Sequence, residues 1–224
     1  MNPECWEDGV EQSTSSAGQT QFGDFFNDMA LHVTMTAPVV TALAGVPADE
    51  QDYIRYCDFL GHRLVKKVKM EVNGNPLDEY GSDVYNMHYQ FAVGPNKRTG
   101  WFRNVGQEEV IEANCRTNSG VREQKSFRSG PQTPKAAQQP VELWIPLLFW
   151  FNLDPRLAIP SVSIPYGQRY ITVDLASAAE LCGTVPSTAA LAAAELADGP
   201  VHVANSFTAP EIEVELLINN IFVN

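Results

Sequence analysis

The chain has 224 residues, 44% of them hydrophobic and 10% aromatic, with 15 Gly and 15 Pro. That length suits one large all-β unit of roughly 200–250 residues, and the proline and glycine content favours many turns over long helices. A formal net charge of −12 argues against nonspecific nucleic-acid binding, which needs basic side chains to displace phosphate counterions.

Residues 1–20 are rich in Ser, Glu, Gln and Gly and read as a flexible N-terminal arm. A single domain is expected over 21–224, with long loops at 36–52, 97–139 and 176–208. The first strand sets Met29, Leu31, Val33 and Met35 against Asp28, Ala30, His32 and Thr34. Residues 53–61 fit either a strand or a helix. Lys67 to Val72 is a strand with Val68, Met70 and Val72 facing in and Lys67, Lys69 and Glu71 facing out. Asn73-Gly74-Asn75-Pro76 is expected to end it, since Asn-Gly adopts positive φ readily and Pro76 cannot continue a ladder. Ser82 caps a short helix whose packed face is Val84, Met87, His88 and Phe91, and Gly94-Pro95 stops it. From Lys97 to Gln139 the chain reads mostly as loop, with short strands around Trp101 and Val110.

The stretch 143–151 is the most telling. As a strand it would put Ile145, Leu147, Phe149 and Phe151 on one face and Trp144, Leu148 and Trp150 on the other. An outer strand with one wet face should alternate apolar and polar residues, and this one does not. A buried aromatic covers about 150–250 Å², so a bare Trp face would approach the roughly 300–600 Å² patch that soluble monomers tolerate. Trp144, Leu148 and Trp150 are therefore expected to meet another domain or subunit. A strand over 169–175 follows, and the Ala-rich run from Ser187 to Ala197 predicts a helical excursion ended by Gly199. In the last strand Ile212, Val214, Leu216 and Ile218 alternate with Glu211, Glu213, Glu215 and Leu217. Short strands, decorated loops and small helical insertions describe an all-β jelly-roll sandwich of two antiparallel four-stranded sheets. No amphipathic helix separates successive strands as a parallel sheet would require.

No catalytic constellation emerges. His32, His62, His88 and His202 are scattered, with neither a His-x-His nor a His-Glu-x-x-His pair, and no cofactor is implied. Nucleophile-elbow and phosphate-loop motifs do not occur. Cys5, Cys57, Cys115 and Cys182 lie more than fifty residues apart, which gives no local metal knuckle and reads as free thiols of a reducing compartment. The N-terminus lacks the pattern of a signal peptide, and no apolar run reaches the ~20 residues that cross a bilayer. Charge is unevenly distributed: residues 1–94 carry 14 acidic and 5 basic groups, 95–135 carry 4 and 8, and 136–224 carry 9 and 2. The basic middle reads as a solvated loop or a patch meeting an acidic neighbour. Gly130-Pro131-Gln132-Thr133-Pro134 reads either as a stiff loop leading into a strand or as an extended segment that docks in a groove.

Several blocks together carry a family resemblance. They are Gly23-Asp24-Phe25-Phe26-Asn27-Asp28-Met29; Glu71-Val72-Asn73-Gly74-Asn75-Pro76-Leu77-Asp78-Glu79-Tyr80 with Ser82-Asp83-Val84; and Val105-Gly106-Gln107-Glu108. Then come Gly130 to Lys135, Leu143-Trp144-Ile145, Phe149-Trp150-Phe151-Asn152, Leu157 to Pro165, and Ile218 to Val223. In this order they resemble the major capsid protein of asfarvirus-like large DNA viruses, the lineage of African swine fever virus and the faustoviruses. The resemblance implies the first half of a double jelly roll, in which three chains form a pseudo-hexagonal capsomer of an icosahedral shell. It further implies contacts with neighbouring capsomers and minor capsid proteins, no enzymatic activity, and a place in the virion after assembly in the host cytoplasm. Whether the chain is half of a longer protein, a separately encoded segment or a stand-alone single roll stays open. Within that reading the interface residues are Trp144, Leu148 and Trp150, with Gly130, Pro131, Gln132, Thr133 and Pro134. Two other classes remain: a receptor- or glycan-binding module using the loops at 97–139 and 176–208, and a cupin-like enzyme, which the histidine spacing disfavours.

Overall fold

The structure, a computed structural model, describes residues 5–6, 9–13, 24–42, 51–116, 122–163, 169–186 and 206–223. The strands are β1 (Cys5–Trp6), β2 (Gly9–Ser13), β3 (Phe25–Met35), β4 (Val39–Val40), β5 (Tyr53–Tyr56), β6 (Val65–Val72), β7 (Asn75–Gly81), β8 (Glu109–Arg116) and β9 (Arg122–Ser129). After them come β10 (Val141–Pro146), β11 (Ile159–Pro160), β12 (Arg169–Leu175), β13 (Cys182–Val185), β14 (Phe207–Thr208) and β15 (Ile212–Ile221). Among the described residues three α-helices, α1 (Leu60–Leu64), α2 (Asp83–Phe91) and α3 (Arg98–Val105), interrupt them. Among the described residues every strand pairing is antiparallel.

One sheet runs β1-β2-β12-β6-β7. The other is built on β3, with β10 and β11 along one flank and β15 along the other. Period-two burial is what brings the two together. Leu31, Val33 and Met35 from β3 and Val68, Met70, Ile171 and Val173 from the opposing sheet enter one core. Leu143, Ile145, Phe149 and Phe151 complete it, Phe149 stacking on Phe151 with centroids 5.4 Å apart.

Several expectations are revised. In place of a wholly free arm, Cys5–Trp6 and Gly9–Ser13 extend the first sheet to five strands, Gly9–Ser13 pairing with β12 from Tyr170↔Ser13 to Asp174↔Gly9. Asn73 and Gly74 do take positive φ, 53° and 79°, but Pro76 sits inside β7 rather than ending the ladder. That is tolerated because β7 is an edge strand and a register shift lies opposite, between Met70 and Glu71. Residues 53–61 resolve into β5 and the start of α1. Trp101 lies on α3, not on a strand, and Val110 lies in the eight-residue strand β8 paired to β9. Within 36–52 and 176–208, β4 pairs with β14 and β13 with β5. The expected helix over 187–197 lies outside the described residues.

Helix α2 starts after Ser82 as expected, yet its packed face is different. Tyr85 is the buried residue, while Met87 is 59% and Phe91 87% exposed. The Ser82 side chain makes no capping bond.

Candidate assembly interface

β10 places Leu143 and Ile145 in the core and turns Glu142 and Trp144 outwards. The alternation expected along 143–151 therefore holds for side chains, but the strand does not last. It ends at Pro146, and Trp150–Asn152 form a 3-10 turn. Two tyrosines fix the exit: the Tyr85 hydroxyl donates to the Pro146 carbonyl at 3.1 Å, and the Leu148 N–H donates to the Tyr80 hydroxyl at 2.8 Å. With its proton committed to Pro146, Tyr85 accepts from Tyr80 across 3.4 Å. Desolvation pushes the Tyr80 phenol up to about 12 and Tyr85 well above its ordinary value, so both stay neutral donors. Asn152 completes the turn, accepting from the Phe149 N–H at 3.0 Å and donating to the Asn27 carbonyl at 2.6 Å.

The break separates the two tryptophans. Trp144, 41% exposed, stacks on His32 of β3 with centroids 4.2 Å apart. Trp150, 47% exposed, meets Phe151 edge-on, and its backbone N–H donates to Asp78 of β7 in the other sheet. Leu148 is half-buried against the core. Beside it runs an open groove of about 620 Å³ lined by Ala30, Pro146, Leu147, Leu148, Leu153 and Leu217. Leu153 is 65% and Leu217 43% exposed. The sequence carried a signal for Leu217, an apolar residue at an outward position of a strand otherwise lined with Glu, but none for Leu153, which depends on the turn at 150–152.

His32 lies between two carboxylates, Nδ1 3.2 Å from Glu215 and Nε2 2.9 Å from Glu142. A neutral imidazole donates from only one nitrogen, so this arrangement favours the doubly donating cation. The hydrogen bonds to Glu215 and then Glu142 raise its pKa above 6.5. His62 is the opposite case. Burial lowers its pKa, the Trp101 indole donates to its Nε2 at 3.0 Å, and Nδ1 faces the Asn86 side-chain oxygen at 3.2 Å, which fixes a neutral Nδ1–H tautomer. His88 lies beside Trp101, and burial lowers its pKa too. His202 lies outside the described residues. Among the described residues no group of three or more His, Cys, Asp or Glu is placed to hold a metal ion.

The 130–134 segment faces inwards. Gln132 is buried; its oxygen accepts from the Glu108 N–H at 2.7 Å, and its amide donates to the carbonyls of Gly106 and Cys57 at 2.7 and 3.0 Å. Thr133 donates to the Glu108 carboxylate, and the Pro131 carbonyl accepts from Tyr56 N–H. Of the five, Pro134 is exposed, while Gly130, Pro131 and Thr133 are half-buried. The segment is a loop stapled to α3 and β5 that leads into β10.

A family profile described as "Major capsid protein N-terminus" matches residues 8–224. The chain is similar to the hexon protein p72 of African swine fever virus, 32% identical over 207 residues, covering 63% of this chain and 32% of that protein. It is also similar to the major capsid protein of Phaeocystis pouchetii virus, 26% identical over 126 residues, covering 55% of the chain and 24% of the relative. In structure it matches the faustovirus major capsid protein over 100% of this chain and 52% of that one, with TM-score 0.70 and 29% identity. PBCV-1 VP54 shares the fold over 96% of this chain and 38% of its own, with TM-score 0.56 and 16% identity. The fold is thus the jelly roll of large-virus capsid proteins, and the chain spans about a third of the length of the p72 relative and about half that of the faustovirus protein. The chain belongs to the major capsid protein N-terminus family.

Proposed function

We propose, on the premise of that membership, that the chain is the first jelly roll of a viral major capsid protein and acts by shape rather than by chemistry. The observation that carries this reading is the family match over residues 8–224, joined to a whole-chain structural match with the faustovirus capsid protein. Three copies would form a pseudo-hexagonal capsomer, capsomers would tile an icosahedral shell, and minor capsid proteins would bind between them. The protein would reside in the virion after assembly in the host cytoplasm, with no direct contact to nucleic acid.

The exposed apolar residues support an assembly role. Leu148, Leu153 and Leu217 line one open apolar groove, and Trp144 and Trp150 are exposed apart from it; apolar surface of this kind favours contact with a partner, and covering it removes about 25 cal/mol of unfavourable hydration per Å². The 130–134 loop supports this surface from behind by holding the approach to β10. No helix among the described residues is long and apolar enough to cross a membrane.

The decisive experiment isolates virions and determines the intact mass and stoichiometry of the species carrying these peptides. A trimeric capsomer whose subunit mass lies well above 24.7 kDa is the expected result. Absence of the peptides from purified virions would overturn the reading.

A further inference from the structure

We propose that His62 and Trp101 form a proton-operated latch on the wall of the groove that Leu148, Leu153 and Leu217 also line. The latch is closed while the imidazole is neutral and opens when the ring takes up a proton. This rests on the reading of that groove as an assembly surface and names how it is regulated.

The latch begins with a ring that is held on all counts. His62 of α1 is 2% exposed, and Phe59 and Tyr85 stack on it with centroids 5.1 and 5.6 Å away. Its backbone is equally fixed, since a Cβ on the neighbouring Gly61 would lie 3.1 Å from the Val105 Cα of α3. Both ring nitrogens are in use. Nδ1–H donates to the Asn86 side-chain oxygen at 3.2 Å, and the Nε2 lone pair accepts the Trp101 indole N–H at 3.0 Å. A proton taken from solvent goes to Nε2 and removes that lone pair. Two N–H groups then point at each other across the same 3.0 Å, and one of them has to withdraw to find an acceptor.

Trp101 is the member that can move. It is half-buried, and the residues ahead of it on α3, Arg98, Thr99 and Gly100, are exposed. Once withdrawn, its indole N–H donates to water. Trp101 and His88 both line the groove, their ring centroids 5.2 Å apart, so displacement of the indole reshapes that wall. A partner seated in the groove at neutral pH loses this part of its contact when the ring charges.

The surroundings keep the latch shut at neutral pH. Burial opposes protonation most strongly, the Asn86 oxygen favours it, and the charge of His88 on α2 opposes it. The other charged groups on the elements packed against α1 are engaged elsewhere or face solvent. Lys66 pairs with Glu180, Lys67 with Glu79, Lys69 with Glu71, and Glu142 with His32. Arg98 lies over the Tyr89 ring, and Arg63, Asp83 and Arg103 are exposed. The latch therefore opens below 6.5, the ordinary value for a histidine.

Indole N–H resonances of the 224-residue chain, followed from mildly alkaline into acidic pH, read the latch directly, and Trp101→Phe assigns the signal. The Trp101 signal should leave its hydrogen-bonded position with a midpoint below 6.5, its exchange with water should rise about tenfold or more, and the Leu153 and Leu217 methyl signals should move with it. His62→Gln takes up no proton and should abolish the transition. In Trp101→Phe the opposing donor is gone, so the midpoint of His62 itself, read from its ring protons, should rise. Should His62→Gln fail to fold, that second variant decides alone. An indole signal that ignores acid while His62 titrates, a transition that survives His62→Gln, an unmoved His62 midpoint in Trp101→Phe, or global unfolding at the pH where the signal moves would each overturn the proposal. Absence of the chain's peptides from virions would remove the capsid reading and leave the Trp101 transition of the chain as it is.

Discussion

Gln132 holds three backbone groups from two separate segments, a role its place between two prolines does not announce. Removing its amide leaves the Glu108 N–H and the Gly106 and Cys57 carbonyls without that partner. Each buried group so orphaned costs about 1–3 kcal/mol, so Gln132→Ala should lower the urea midpoint markedly, and a midpoint equal to wild type would refute the staple. Gly106 ends α3 with φ of 70°, and a Cβ there would lie 2.5 Å from the Leu143 Cδ2. Gly106→Ala thus meets both backbone strain and core overlap, with an expected loss of about 1–3 kcal/mol in equilibrium unfolding. At His32 the sign of the pH effect follows from the raised pKa. Folding takes up a proton there, so the clamp's stabilisation is complete below the ordinary value of 6.5 and fades as pH rises through the folded-state value. His62 works the other way: its neutral form stabilises above 6.5, and that contribution is lost as pH falls. The stability gap between wild type and His32→Gln should therefore be widest in mild acid and close with rising pH. A gap constant with pH would show that the clamp does not titrate.

At the scale of elements, periodicity located strands better than it located faces on helices. β3, β6, β12 and β15 all lie where alternation places them, because one face of each strand must enter a shared core. Helix α2 has only nine residues, and several three- or four-residue spacings on it look equally apolar. What selects Tyr85 is the Pro146 carbonyl at the end of β10, which its hydroxyl reaches beside the Tyr80 hydroxyl of β7; the contact with Pro146 is a long-range fact absent from local spacing. Tyr85→Phe removes the donor to the Pro146 carbonyl while keeping the ring. It should cost about 1–3 kcal/mol and loosen the 146–152 exit, visible as faster amide exchange at Leu148. Unchanged exchange there would mean that Tyr80 and Asn152 hold the turn without Tyr85.

For the molecule as a whole, the apolar residues along 143–153 serve two ends. Leu143, Ile145, Leu147, Phe149 and Phe151 bind the two sheets together, and the residues between them remain available to a partner. Because Trp150 is about half exposed, Trp150→Glu should leave the melting temperature within a few degrees of wild type and abolish capsomer formation. A normal trimer from that variant would remove Trp150 from the interface. The tryptophan rings have different neighbours, His32 for Trp144 and Phe151 for Trp150, so Trp144→Glu should act separately, since it also strips the stacking partner from His32.

Sequence alone determined the all-β class, the principal strands, the two-sided character of 143–151 and, through its ordered blocks, the capsid family. These are local or cumulative signals: alternation has a period of two residues, and a family resemblance sums many positions. The tertiary structure decided what depends on residues far apart in the chain. It turned 147–152 out of the sheet and so parted Trp144 from Trp150. It drew the 130–134 loop inwards through Gln132, set His32 between Glu142 and Glu215, and, among the described residues, paired the β8–β9 ribbon only to itself. Each of these joins groups more than fifty residues apart or depends on which neighbours a strand does not have, and neither can be read from a periodic pattern along the chain.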